Sequence, residues 1–110
     1  MDLRKMLLEL EEKLQRVYGN KLKAVILYVS VARGTATEES DIDIMVLVDG
    51  TAQELRTFED QLSDVSTDIS IKYFKVFSII DISYQEYMRW VNTSPFYRNV
   101  LKEGVILYAA

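Results

Sequence analysis

The 110-residue sequence contains no cysteine and no histidine. Without cysteine, disulfide bonds and thiolate metal sites are excluded. Without histidine, the chain has no imidazole base and lacks the ligand of most zinc sites, so any metal ion must be bound by oxygen. No apolar run approaches membrane-spanning length, and the charged N-terminal segment does not resemble a signal peptide. We therefore expect a cytoplasmic protein that has no membrane partner.

Basic residues are in the minority, with 13 lysines and arginines against 17 aspartates and glutamates, which gives a net charge of −4. An acidic domain has no general attraction for nucleic acid, so direct binding of nucleic acid is not expected. Hydrophobic residues make up 49% of the chain, enough for a packed core. The length suits one domain spanning residues 1–110.

Apolar side chains spaced by three and four residues predict several amphipathic helices. The first is predicted over 2–18, and a long second helix over 51–73. Taken alone, residues 68–72 would also fit an alternating strand, but the wider pattern favours the helix. Two further helices are predicted over 83–92 and 94–102.

Short apolar runs predict the strands. Three runs, 23–28, 41–48 and 76–82, read as the main strands, and 105–108 as a short closing strand. Strands that alternate with amphipathic helices predict an α/β (α+β) domain with a small mixed sheet and helices packed against it. We expect strands 23–28 and 41–48 to be neighbours in that sheet.

Two aspartates, Asp41 and Asp43, open the second strand. Side chains at i and i+2 of a strand share a face, and their backbones lie about 6–7 Å apart. Carboxylates that close repel each other unless a cation or a proton lies between them, and Mg²⁺ prefers oxygen ligands. The pair therefore predicts a divalent-metal site. The alternative is a turn residue at Asp41 and an edge-strand aspartate at Asp43.

The segment before this pair begins with Ser30, which is suited to cap a short helical turn over 31–33 that Gly34 ends. The N-terminus of such a turn presents free backbone N–H groups, which suit a phosphate. An ordinary capping serine is the alternative for Ser30.

These two segments together resemble the signature of polymerase-β-type nucleotidyltransferases, and most of all that of the minimal nucleotidyltransferase (MNT) domains. The signature is Gly-Ser-x-Ala-Arg-Gly, a short polar spacer and Ser-Asp-x-Asp. The chain matches it with Ser30-Val31-Ala32-Arg33-Gly34 and Ser40-Asp41-Ile42-Asp43, while Val29 stands in place of the first glycine. The segment 94–108 is similar to the tail of many MNT domains, so the resemblance covers most of the chain.

The resemblance implies a polymerase-β-like fold and the transfer of a nucleoside monophosphate, AMP from ATP, to a protein or small-molecule acceptor. Asp41 and Asp43 would hold two Mg²⁺ ions. Val29, Ser30 and the following amides would lie at the terminal phosphates, and Arg33 would pair with phosphate or brace the loop. MNT domains resemble antitoxins of HEPN-type toxins, whose tyrosine receives the adenylyl group, which implies such a toxin as a partner.

Two departures from the pattern leave two hypotheses. Related enzymes usually take a third carboxylate from the third strand, near its middle, where Ser78 stands. Asp81 is the acid within reach, and it is either catalytic or a surface aspartate at the strand end, because alternation puts it on the face opposite Ser78. Val29 adds a branched side chain where glycine would let a phosphate approach the backbone.

The chain is therefore a working transferase or a degenerate member that acts by protein–protein binding, as an antitoxin or scaffold. A nucleotide-sensing module is a third alternative. The sequence does not decide the acceptor, the preferred nucleobase or whether the chain forms a homo-oligomer.

Overall fold

The structure is a computed structural model that describes residues 3–28 and 42–110. Its strands form one sheet in the order β3-β2-β1-β4. They are β1 (Leu22–Tyr28), β2 (Ile42–Val48), β3 (Phe77–Ser83) and β4 (Val105–Ala109). Strand β1 is antiparallel to both β2 and β4, whereas β2 and β3 are parallel. The predicted mixed sheet and the predicted neighbours β1 and β2 are confirmed.

Five α-helices accompany the sheet in the described part of the chain. They are α1 (Leu3–Tyr18), α2 (Ala52–Arg56), α3 (Glu59–Tyr73), α4 (Tyr84–Trp90) and α5 (Pro95–Glu103). Helix α1 ends where Gly19 adopts a φ of 59°, a left-handed conformation that glycine accepts without steric cost. None of these described helices has the length and apolar character needed to cross a bilayer.

The prediction of one long helix over 51–73 is wrong at its middle, because Thr57 and Phe58 separate α2 from α3. Their N–H groups bond to carbonyls only three residues back, in a tight turn that ends α2. The Thr57 hydroxyl also donates to the Glu54 carbonyl at 2.6 Å and so favours this turn. Residues 68–72 lie within α3, which confirms the helix over the alternative strand.

Helices cover both faces of the sheet. On the first, called the α1–α3 face, apolar side chains of α1 and α3 pack against β1 and β2; the buried members include Leu10, Leu14, Val25, Ile44 and Ile69. On the second, called the α4–α5 face, the buried side chains are Ile26, Met45, Leu47, Tyr87, Val91 and Val100. Burial of both apolar sets drives the sheet and helices together.

Helix α5 is fixed at both ends. As predicted, Ser94 caps its start, accepting a hydrogen bond from the Tyr97 N–H at 3.4 Å, and Pro95 is the first helical residue. At its end Gly104 packs tightly against β1, since a Cβ there would lie 2.7 Å from Cγ2 of Ile26 and would also meet the Val100 carbonyl oxygen. The lack of a side chain at position 104 lets α5 approach β1.

Candidate active site

Asp43 is the second residue of β2 and lies at the end of the sheet where β1 finishes. It pairs with Tyr28 of β1 on one side and with Ser78 of β3 on the other. Residues directly opposite each other on neighbouring strands point to the same face, so these three side chains form a row on the α4–α5 face. Asp43 is only 7% exposed, and pairing on both sides fixes its backbone.

A carboxylate this buried is costly unless a cation or hydrogen-bond donors compensate it. Within residues 3–28 and 42–110, no lysine or arginine forms an ion pair with Asp43. The described residues also contain no group of three or more acidic side chains that could hold a metal ion by themselves. The oxygen atoms of Asp43 and its neighbours suit a hard ion such as Mg²⁺, and a full ligand set would need Asp41 as well.

The Tyr28 hydroxyl belongs to the same row. Burial, and secondly the charge of Asp43, raise the pKa of Tyr28 above its usual range. The phenol therefore stays protonated near neutral pH, and it is a hydrogen-bond donor beside a carboxylate. The sequence did not identify Tyr28 as a functional residue, because joining the predicted strands 23–28 and 41–48 end to end would place it opposite Asp41, whereas the observed register places it opposite Asp43.

Asp81 lies elsewhere. It pairs with Val46, which points to the α1–α3 face, and its Oδ2 accepts a hydrogen bond from the Tyr18 hydroxyl at 3.1 Å. Burial raises the pKa of Asp81, and the hydrogen bond from Tyr18 opposes that rise. The structure thus does not bring Asp81 together with Asp43. The sheet separates the two carboxylates, and Ser78 occupies the position in β3 beside Asp43.

Four predicted site residues, Val29, Ser30, Arg33 and Asp41, lie outside the described residues, and their contacts stay predictions. The chain leaves β1 at Tyr28 and enters β2 at Ile42. Because the two strands are antiparallel neighbours, these ends of the signature segment meet beside Asp43.

The family model described as Polymerase beta, Nucleotidyltransferase matches residues 9–110. This chain belongs to that family. A relative from Methanocaldococcus jannaschii, provisionally named a protein adenylyltransferase, is 37% identical over 108 residues, which make up 98% of this chain and 100% of the relative. A second protein of that organism, with the same kind of name, is 31% identical over 75 residues, or 66% of this chain and 72% of the relative.

Two solved structures have a similar fold. One contains a tri-AMPylated Shewanella oneidensis HEPN toxin in complex with an MNT antitoxin; the match has a TM-score of 0.59 and 15% identity over 97% of this chain and 72% of that one. The other is a toxin–antitoxin structure with AMP-PNP, with a TM-score of 0.55 and 20% identity over 93% of this chain and 73% of that one. The family match and these likenesses together confirm the polymerase-β-like fold.

Proposed function

We propose that this chain is a protein adenylyltransferase, which transfers AMP from ATP to a hydroxyl group of a partner protein. The observation that carries the proposal is the buried Asp43 carboxylate, which β1 and β3 hold in place at the end of the sheet where the signature segment begins and ends. The relative that is 37% identical along its whole length, and is named for this activity, supports the choice of reaction.

In the proposed reaction, the acceptor hydroxyl oxygen forms a bond with the α-phosphorus of ATP, the bond from that phosphorus to the β-phosphate breaks, and pyrophosphate leaves. Asp41 and Asp43 would hold Mg²⁺, with two ions as our expectation, and bound Mg²⁺ would neutralise charge on the phosphates. Ser30, the amides that follow it and Arg33 would bind the terminal phosphates.

In this proposal, the row of Tyr28, Asp43 and Ser78 positions the acceptor. Ser78 stands on the same face as Asp43, and its hydroxyl can orient an acceptor by hydrogen bonding. A serine hydroxyl is not a base near neutral pH, so the acceptor proton would pass to solvent or to one of the two strand carboxylates. We leave Asp81 out of the proposed catalytic set because it lies on the opposite face and is engaged by Tyr18.

For the partner, we propose a HEPN-type toxin whose tyrosine is the acceptor. The proposal is supported by the solved complex of an AMPylated HEPN toxin with an MNT antitoxin, whose fold this chain resembles. In that role the chain would act as an antitoxin that modifies its toxin.

The test is a calorimetric titration with Mg²⁺-ATP of the unchanged protein and of the Asp41→Asn/Asp43→Asn double variant. We expect Mg²⁺-dependent, saturable binding that the double variant loses while it keeps its fold by circular dichroism. The matched control is Asp60→Asn/Asp64→Asn, which removes the same charge from exposed positions of α3 and should bind normally.

Equal affinity in the double variant would place the nucleotide elsewhere and overturn the site. Binding by the unchanged protein without transfer to a toxin partner would favour the degenerate, binding-only alternative.

A further inference from the structure

Tyr28 and Phe96 place an aromatic surface next to Asp43. Tyr28 lies directly opposite Asp43 in the strand register. Its ring meets the ring of Phe96 edge to face, with centroids 5.7 Å apart and an angle of 85° between the planes. Phe96 is the second residue of α5, so the start of this helix lies beside the end of the sheet that carries the proposed catalytic aspartate.

The Phe96 ring contacts two other aromatic rings and is only partly buried. Tyr97 lies 5.8 Å from it, and Tyr97 in turn lies 5.3 Å from Tyr87, which is buried. The serine cap and Pro95 fix the backbone at the start of α5. Phe96 nevertheless remains 45% exposed. A partly exposed ring that its neighbours hold in place is suited to stack on another flat group.

We infer that Phe96 and Tyr28 form the subsite for the nucleobase of the nucleotide. The inference rests on the proposed function, because it takes the phosphates to bind at Asp43. The base is joined to those phosphates through one ribose, so it must lie a short distance from the row of Tyr28, Asp43 and Ser78. Phe96 supplies a partly exposed aromatic surface in contact with the ring of Tyr28, which is itself the strand partner of Asp43.

The chemistry of these rings also determines which nucleobases the subsite is expected to prefer. Stacking accepts any base, since every base has a π-face. A purine covers more of a phenylalanine ring than a pyrimidine does and removes more apolar area from water. The subsite is therefore expected to bind purine nucleoside triphosphates more tightly than pyrimidine ones, with little discrimination between adenine and guanine from stacking alone.

A purely structural role for Phe96 makes a different prediction. If its ring only packs against Tyr28 and Tyr97, removing it would affect stability and every ligand alike. A base subsite affects only ligands that carry a base. Comparison of ATP with inorganic triphosphate, which has neither base nor ribose, separates these two roles.

The experiment measures calorimetric affinities for Mg²⁺-ATP, Mg²⁺-CTP and Mg²⁺-triphosphate in the unchanged protein, Phe96→Ala and Phe96→Tyr. Phe74→Ala is the matched control, since it removes the same side chain from a 91% exposed position after α3. We expect Phe96→Ala to weaken ATP binding about tenfold, within the range for loss of one base–aromatic stack, and to leave triphosphate binding unchanged. Phe96→Tyr should retain ATP affinity, and Phe74→Ala should behave as the unchanged protein.

Unaltered ATP affinity in Phe96→Ala, in a protein that prefers ATP to triphosphate, would overturn the base subsite but leave the proposed function standing. An equal loss for ATP and triphosphate would also overturn it, in favour of a packing role. If the unchanged protein bound neither ATP nor triphosphate in the presence of Mg²⁺, the proposed function would fail and the subsite with it.

Discussion

The Tyr18 hydroxyl donates a hydrogen bond to Asp81 at 3.1 Å, on the face of the sheet opposite Asp43. Burial is the main cause that raises the pKa of both groups, and for Tyr18 the charge of Asp81 adds to it. The contact ties the end of α1 to β3. It gives Asp81 a structural environment that is separate from the proposed active site.

The Asp81→Asn variant tests this assignment through the pH dependence of stability. The folded-state pKa of Asp81 is raised above its ordinary value of 3.8, so the ionised carboxylate makes folding less favourable at neutral pH. As the pH falls through the raised pKa, the folded protein takes up the proton first and this cost disappears. We expect Asp81→Asn to be more stable than the unchanged protein at pH 7, with a difference that shrinks towards pH 3.8.

Urea unfolding of both proteins across that pH range measures the difference. Asp64→Asn, at an exposed position of α3, is the control and should show no comparable trend. A stability difference in favour of Asp81→Asn that grew on acidification would contradict the sign of this prediction. Loss of nucleotide binding in Asp81→Asn would show that Asp81 takes part in the active site after all.

Asp43→Asn should increase stability while it removes function. The Asp43 carboxylate is buried, and within 3–28 and 42–110 no cation pairs with it, so a neutral amide relieves its charge in the free protein. We expect a gain of about 0.5–2 kcal/mol in the free energy of unfolding without Mg²⁺, the usual size of a single stabilising substitution. Chemical denaturation measures it, and a less stable variant would show that Asp43 is compensated in the free protein.

Gly104→Ala should destabilise the fold. The added methyl group would approach Cγ2 of Ile26 to 2.7 Å and would also clash with the Val100 carbonyl oxygen. The Val100 oxygen belongs to the backbone of α5 and cannot rotate away, and the methyl group would also lie 3.3 Å from the Leu27 carbonyl oxygen of β1, so the end of α5 must change its conformation and its packing against β1. We expect a loss of about 1–3 kcal/mol, the scale of overpacking, measured by thermal unfolding. Gly50→Ala is the control, since its methyl group would meet its nearest neighbour at an ordinary 3.5 Å; equal losses would rule out the steric explanation.

Val29→Gly should strengthen the binding of Mg²⁺-ATP. Glycine at this position of the signature would let a phosphate approach the backbone, whereas a branched valine side chain would narrow that approach. We expect a gain of about 1–2 kcal/mol, the scale of relieving one strained backbone position, together with slightly lower stability. Titration of both proteins with Mg²⁺-ATP measures the gain. Tight binding by the unchanged chain with no gain from glycine would show that valine is tolerated.

Most of the fold could be predicted from the sequence because local patterns determine it. The apolar runs predicted the ends of strands β1, β2 and β3 to within one residue, and Ser94-Pro95 predicted the start of α5. The break at Thr57 was missed because it depends on hydrogen bonds three residues back, which leave no gap in the apolar spacing. Helical periodicity alone cannot distinguish one helix from two with such a turn between them.

The candidate site was only partly predictable. The two-residue spacing of Asp41 and Asp43 indicated a shared face. Alternation along β3 already placed Asp81 and Ser78 on opposite faces of the sheet. Alternation within one strand cannot give the register between strands, so the pairing of Tyr28 with Asp43 required the structure. The contact of Phe96 with Tyr28 joins residues far apart in the chain, and no local pattern predicts it.

The central claim is nucleotidyl transfer to a protein at Asp43, and labelled ATP tests it most directly. The unchanged protein and Asp43→Asn are incubated with Mg²⁺, a HEPN-type toxin partner and ATP labelled at either the α- or the γ-phosphate. The account predicts that the toxin gains label from α-labelled ATP only, with release of pyrophosphate, and that Asp43→Asn gives none. Label from γ-labelled ATP, or undiminished transfer by Asp43→Asn, would contradict it.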